Sequence, residues 1–160
     1  MEQQPSGSKG FDMAEMALGS KIIMVAGILL LVDSFLQWQK VCISFGGVTA
    51  ACAGVSAWSG SGSFFGLLMG LLLIVLLIFE GVQLAKVDMG NLPMPKTKIS
   101  AYLAFAVGVC SILKVLLALT SSIKPSLFAW IGLVLALVVA YGGYLQFKAE
   151  AAMPTPPAAG

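Results

Sequence analysis

The chain of 160 residues is 59% hydrophobic and only 10% charged, with a net charge of +2; a soluble domain carries about 25% charged residues, so this one has too few to wet its surface. Every cation is a lysine and none of them cluster, so nucleic acid is not an expected partner. Histidine is absent, which removes the commonest metal ligand, the neutral-pH proton shuttle and the Ser/His and Cys/His nucleophile pairs.

Residues 1–10 are polar and contain Gly, Ser and Pro, the composition of a disordered tail. Residues 11–18 read as a short amphipathic helix, capped by Asp12, that forms the wet end of the first membrane helix. Lys21 marks an interface, and residues 22–38 are the first expected span, at the short end of what crosses a bilayer. The segment does not read as a signal peptide, because residues 35–38 (Phe-Leu-Gln-Trp) are bulky where a small-x-small cleavage site belongs. Residues 49–52 (Thr-Ala-Ala-Cys) lack the leucine of a lipoprotein processing site.

Residues 40–62 form a loop rich in Gly, Ser and Ala. Within it, residues 41–45, Gly46-Gly47 and the residues from Val48 onward read as a β-hairpin, because Gly-Gly supplies the positive φ of a tight turn. Residues 63–85 are the second span. Residues 86–98 are a polar connection stiffened by Pro93 and Pro95. Residues 99–119 are the third span, residues 120–124 a tight turn, and Pro125 is suited to open the next helix. Residues 126–147 are the fourth span. Residues 149–160 are a Pro/Ala-rich tail without expected structure. The expected fold is an all-α membrane protein, a four-helix transmembrane bundle with a short β-hairpin-like loop outside the membrane between helices 1 and 2. The membrane domain covers residues 11–148.

Lysines in short loops set the orientation. With four spans, Lys9, Lys21, Lys86, Lys96, Lys98 and Lys148 share one side and Lys40 and Lys124 the other, which places both termini in the cytoplasm. A bacterial plasma membrane is the expected location.

The run of residues 34–38 (Ser-Phe-Leu-Gln-Trp), the small-residue loop, and residues 56–58 (Ser-Ala-Trp) leading to Gly62, Phe65 and Gly66 resemble a group of bacterial four-span integral membrane proteins. Those end their first helix in a Leu-Pro-Trp-Tyr-like run. Here Gln37 and Gln39 stand in place of the proline and the tyrosine-like residue. The resemblance implies a four-span fold and carries no established activity.

Three ionisable residues fall inside the expected spans. Asp33 and Lys114 sit at similar depth near the outer ends of spans one and three, with opposite charge, and are expected to form an ion pair, since an unpaired buried charge is the costlier arrangement. Glu80 lies near the inner end of span two. Gln83, one turn away, and Tyr102, Tyr141 and Tyr144 at similar depth are expected to complete an inner polar cluster in which tyrosine hydroxyls satisfy the carboxyl group.

Small residues recur every four positions at Gly62, Gly66 and Gly70 on span two, and at Gly132, Ala136 and Ala140 on span four. Such stripes allow close backbone approach in lipid. They would pack spans two and four together, or one of them against a second copy of the chain. Cys42 and Cys52 flank the Gly46-Gly47 turn on the oxidising side and are expected to form a disulfide. A plain two-residue hairpin would set Cys42 opposite Ala51, so the pairing requires a bulge or longer turn. A Cys-x-x-Cys redox pair is absent, and Cys110 reads as a buried hydrophobe. Trp38, Trp58 and Trp130 are expected as interface anchors.

No nucleophile–base pair, paired carboxylates or metal cluster is visible, so neither an enzyme nor a cofactor is expected. The favoured function is a non-catalytic membrane module that assembles with itself or with other membrane proteins through its small-residue stripes and outward loop. The alternative is a small proton- or cation-coupled transporter or channel component using Glu80 and the Asp33/Lys114 pair. Separate, satisfied polar clusters would favour the module; one continuous polar path would favour transport.

Overall fold

A computed structural model describes residues 17–85, 90, 94–121 and 123–152, apart from the side chain of Ala50. The expected N-terminal tail, residues 153–160 of the expected C-terminal tail, most of the amphipathic segment at residues 11–18, residues 86–89 and 91–93 of the second connection, and residue 122 lie outside the described residues. The described chain is mostly helical: α1 (Leu18–Ser34), β1 (Gln39–Phe45), β2 (Val48–Val55), α2 (Ser63–Leu84), α3 (Lys96–Thr120), β3 (Lys124–Pro125) and α4 (Leu127–Ala151). Helices α2, α3 and α4 are each long and apolar enough to cross a membrane. Helix α1 has 17 residues, or about 25 Å at 1.5 Å per residue, just short of a hydrocarbon core of about 30 Å.

The helices pack in a ring: α1 on α2 and α4, and α3 on α2 and α4. Ile23, Leu30, Met69, Leu73, Leu76, Val107, Ala136 and Val139 fill its centre. The outward faces are just as apolar. Val25, Ile28, Leu29 and Val32 on α1, Leu67, Leu71, Val75 and Ile78 on α2, and Val134 and Leu137 on α4 are all exposed. Helices that are hydrophobic all round belong in a membrane or a large core, and this outer surface suits hydrocarbon.

Glycines set the closest helix approaches. A Cβ on Gly19 of α1 would lie 2.7 Å from the carbonyl oxygen of Gly142 on α4, and one on Gly143 would lie 2.7 Å from Ala104 Cβ on α3. Helix α4 is therefore pressed between α1 and α3 by glycines toward its C-terminal end.

The ends of the elements differ from the sequence reading in four places. Helix α3 starts at Lys96, within the expected polar connection, and α4 runs on to Ala151, into the expected C-terminal tail. The first helix stops at Ser34 rather than Trp38, because the chain turns there: the amide of Phe35 donates to Val32 O (3.2 Å) and that of Leu36 to Asp33 O (2.9 Å). Pro125 does not open α4. It lies in β3, opposite Gln39, while Lys124 lies opposite Lys40. Proline lacks the N–H that a ladder needs and is tolerated at a sheet edge. The amide of Ser126 then donates to Trp38 O (2.8 Å), so the start of α4 is tied to the end of the α1 turn.

The hairpin thus becomes part of a three-stranded antiparallel sheet in the order β2-β1-β3. Gly46 and Gly47 have φ of 60° and 82°, the left-handed pair that a tight hairpin turn requires. The register runs Ile43 to Ala51 and then Ser44 to Thr49, so Ala50 is an extra residue. That bulge places Cys42 directly opposite Cys52, and their sulfurs are joined at 2.03 Å.

Candidate functional site

Two polar clusters lie at opposite ends of the bundle. The one at the hairpin end, called outer after the expected orientation, is built on the turn after α1. The indole N–H of Trp38 donates to both Asp33 Oδ2 and Asp33 O, each at 3.0 Å. Trp38 is fully buried, and its ring lies where a Cβ on Gly132 would sit. Trp58 donates from its indole to Ser34 Oγ (3.2 Å) and packs beside Phe35. Trp130 is exposed on α4. Trp38 is therefore not an interface anchor: its ring is folded inward, where its N–H serves a buried carboxylate.

The expected Asp33–Lys114 ion pair is not formed. Lys114, 1% exposed, donates to the carbonyls of Ser59 (2.9 Å) and Ser61 (3.1 Å). Those carbonyls belong to the loop between β2 and α2, which Gln39 clamps from the other side: its amide donates to Ser61 O (2.9 Å) and accepts from Ser61 N (3.0 Å). Loop carbonyls without helical partners give Lys114 a hydrogen-bonded home on its own side of the bundle, as buried polar groups require. Asp33 finds its own donor in Trp38 instead.

The small-residue stripes also meet partners other than those expected. A side chain at Gly66 would overlap the Ala57 carbonyl, and one at Gly70 would overlap the Trp58 ring. Gly62 sits at the start of α2 with φ +70°. The α2 stripe therefore receives the returning loop. On α4, Gly132 receives Trp38, while Ala136 and Ala140 face Gly108 of α3. Helices α2 and α4 do not pack by their stripes, since the ring sets them diagonally across the bundle.

The inner cluster is centred on Glu80, 1% exposed. Its Oε1 accepts from Ser100 Oγ and from Gln146 Nε2 (2.9 Å), and the same Gln146 nitrogen donates to Ser20 Oγ (2.8 Å). Each of the four helices contributes one side chain: Ser20 from α1, Glu80 from α2, Ser100 from α3 and Gln146 from α4. Glu80 Oε2, Gln146 Oε1 and Gln83 Nε2 are buried without a hydrogen-bond partner. The expected tyrosines are not members. Tyr102, Tyr141 and Tyr144 are all exposed on the outer surface, with Tyr141 and Tyr144 stacked on each other. Depth alone does not give direction around a helix. The missed partners had a signal of their own: Ser100 and Gln146 are hydrogen-bonding side chains within otherwise apolar helices, at Glu80's depth.

Closer to the inner end, Glu150 accepts from Thr97 Oγ1 and lies 3.6 Å from Lys98 Nζ. Between the inner and outer clusters the bundle centre is filled by apolar Leu30, Met69, Leu73, Val107 and Ala136, with the buried Ser111 hydroxyl, which has no hydrogen-bond partner, one turn from Lys114. Among the described residues no group of three or more His, Cys, Asp or Glu could hold a metal ion. No family model, curated protein or solved structure matches the chain.

The hairpin is amphipathic. Its pairs Val41–Ala53, Ile43–Ala51 and Phe45–Val48 share one face, while Lys40, Ser44, Thr49 and the disulfide share the other. Ile43, Phe45 and Val48 are exposed, Phe45 at 76%. A two-stranded ribbon is marginal in water by itself, and here the disulfide and the short β3 pairing hold it in shape.

Proposed function

We propose that the protein is a non-catalytic, four-span integral membrane module that presents its disulfide-stapled hairpin to a partner protein on the outer side. The observation that carries this reading is the separation of the two polar clusters by an apolar centre. Such a core fits a scaffold better than a conduit, because a charge or ion moving between Asp33 and Glu80 would cross a layer that offers it little beyond the buried Ser111 hydroxyl.

The fourth span in this reading is α1. Its exposed Val25, Ile28, Leu29 and Val32 continue the lipid-suited surface of the other helices, and Ser20 joins the inner cluster. Loop lysines then put both termini in the cytoplasm. The hairpin's exposed Ile43, Phe45 and Val48 are the surface offered to the partner, as apolar patches exposed outside a membrane mark interaction sites.

A photo-crosslinking amino acid placed at Phe45, in cells, tests the reading. A discrete adduct of defined mass, absent when the crosslinker is moved to Thr49 on the polar face, is the expected result. An adduct of twice the chain mass identifies the partner as a second copy. Equal labelling by lipid alone at both positions overturns the proposal. Proton flux in liposomes that rises above empty vesicles and falls in Glu80→Gln would favour transport instead.

A further inference from the structure

The inner cluster has an unmet requirement that the scaffold reading leaves unexplained. Glu80 brings a carboxylate into the bundle interior, and burying a charge demands compensation. Among the described residues no cation pairs with it: Lys98 pairs with Glu150 at 3.6 Å, and Lys114 is bound to loop carbonyls at the opposite end. Two buried oxygens, Glu80 Oε2 and Gln146 Oε1, have no donor. Both residues are more than nine-tenths buried. Buried acceptors without partners are rare in native structures and call for an explanation.

We propose that this cluster binds a sodium ion. The oxygens are hard ligands of the kind that s-block cations prefer over soft metals: the Glu80 carboxylate, the Gln146 amide oxygen and the Ser100 hydroxyl, with Ser20 Oγ beside them. A single carboxylate matches a single positive charge, whereas a divalent ion would leave a net charge buried. The Gln146 amide nitrogen donates to both Glu80 Oε1 and Ser20 Oγ, which leaves its oxygen free for the ion. Gln83 Nε2 is a donor and is not among the ligands. Ser20 is partly exposed at the inner end of α1 and gives the ion its way in from the cytoplasmic side. Because the ligands come from α2, α3 and α4 and Ser20 of α1 lies beside them, the bound ion draws the inner ends of the bundle together. Sodium is then a structural ion with no part in transport.

The test is thermal unfolding of the full chain in mild detergent, with sodium chloride exchanged for choline chloride at constant ionic strength. Sodium at about 100 times its dissociation constant should raise the midpoint saturably by about 5–10 °C, and Glu80→Gln should abolish the rise. Equal midpoints in the two salts overturn the proposal. Should Glu80→Gln fail to fold, the wild-type protein is treated with a membrane-permeant carbodiimide, which modifies a carboxylic acid, and the modified residue is mapped by mass spectrometry. Sodium at ten times its dissociation constant should slow modification of Glu80 about tenfold, with choline inert. A modification rate that follows pH but ignores sodium makes the site a proton site only, and that too overturns the proposal.

Discussion

The indole of Trp38 holds the carboxylate of Asp33, with one N–H shared between Oδ2 and the Asp33 carbonyl at 3.0 Å each. The ring lies in the space left by Gly132, so one residue joins the end of α1 to the face of α4. Trp38→Phe keeps one aromatic ring and removes the pyrrole half with its donor. It should destabilise the protein by about 1–3 kcal/mol, since a buried acceptor loses its partner. Denaturation in detergent measures this. A lipid-facing anchor would accept phenylalanine with little change, so a stability within about 0.5 kcal/mol of wild type would remove the inward role.

Asp33 and Lys114 should behave as independent sites. Their partners are different groups, Trp38 for one and the carbonyls of Ser59 and Ser61 for the other. In a double-mutant cycle of Asp33→Asn and Lys114→Met, each single change should destabilise. The two effects should then add within about 0.3–0.5 kcal/mol. A coupling above about 1 kcal/mol would show a direct interaction between them.

The helices, the hairpin turn and the disulfide were legible in the sequence because each depends on local chemistry: apolar runs, Gly46-Gly47, and two cysteines spaced for a bulged hairpin. What stayed hidden was direction around the helix axis. Asp33 and Lys114 share a depth, as do Glu80 and Tyr102, but depth cannot say which face each presents to a neighbour. The loop of residues 56–62 was also decisive. It folds back onto Gly66 and Gly70 and supplies the carbonyls that Lys114 binds. A stripe of glycines in sequence announces a close approach without naming what approaches.

The glycine positions separate cleanly by substitution to alanine. At Gly66 a Cβ would overlap the backbone carbonyl of Ala57, whereas at Gly81 nothing lies within 4 Å. Backbone cannot yield as a side chain can. Gly66→Ala should therefore lower stability by about 1–3 kcal/mol. Gly81→Ala, in the same helix, should be neutral or stabilising by up to about 1 kcal/mol, as alanine favours helix over glycine. Thermal unfolding of the two variants side by side makes the comparison, and equal effects would mean that the loop does not sit on α2.

The disulfide should stabilise the hairpin and leave the bundle alone. Cys42 and Cys52 are separated by 10 residues, and closing a loop of that size contributes about 2–3 kcal/mol. Reduction should raise amide exchange in residues 41–53 while α2, α3 and α4 keep their protection. Before reduction, a maleimide that cannot cross membranes should label none of the three cysteines in intact cells, as Cys110 is free but buried. Labelling of Cys42 or Cys52 before any reductant is added would mean that the staple does not form.

The last prediction contrasts two groups of residues at one depth. Ser100 and Gln146 both donate to Glu80 Oε1, whereas the hydroxyls of Tyr102, Tyr141 and Tyr144 sit on exposed side chains. Ser100→Ala and Gln146→Leu each strip a donor from a buried carboxylate. Hydrogen bonds to charged groups contribute about 1.5–3 kcal/mol, so each change should cost at least that much in detergent unfolding. Phenylalanine at any of the three tyrosine positions should leave stability within about 0.5 kcal/mol of wild type. If the tyrosine variants proved the more damaging, the carboxylate would have to face the outer surface of α2, and the side chains of α1, α3 and α4 would no longer converge on it.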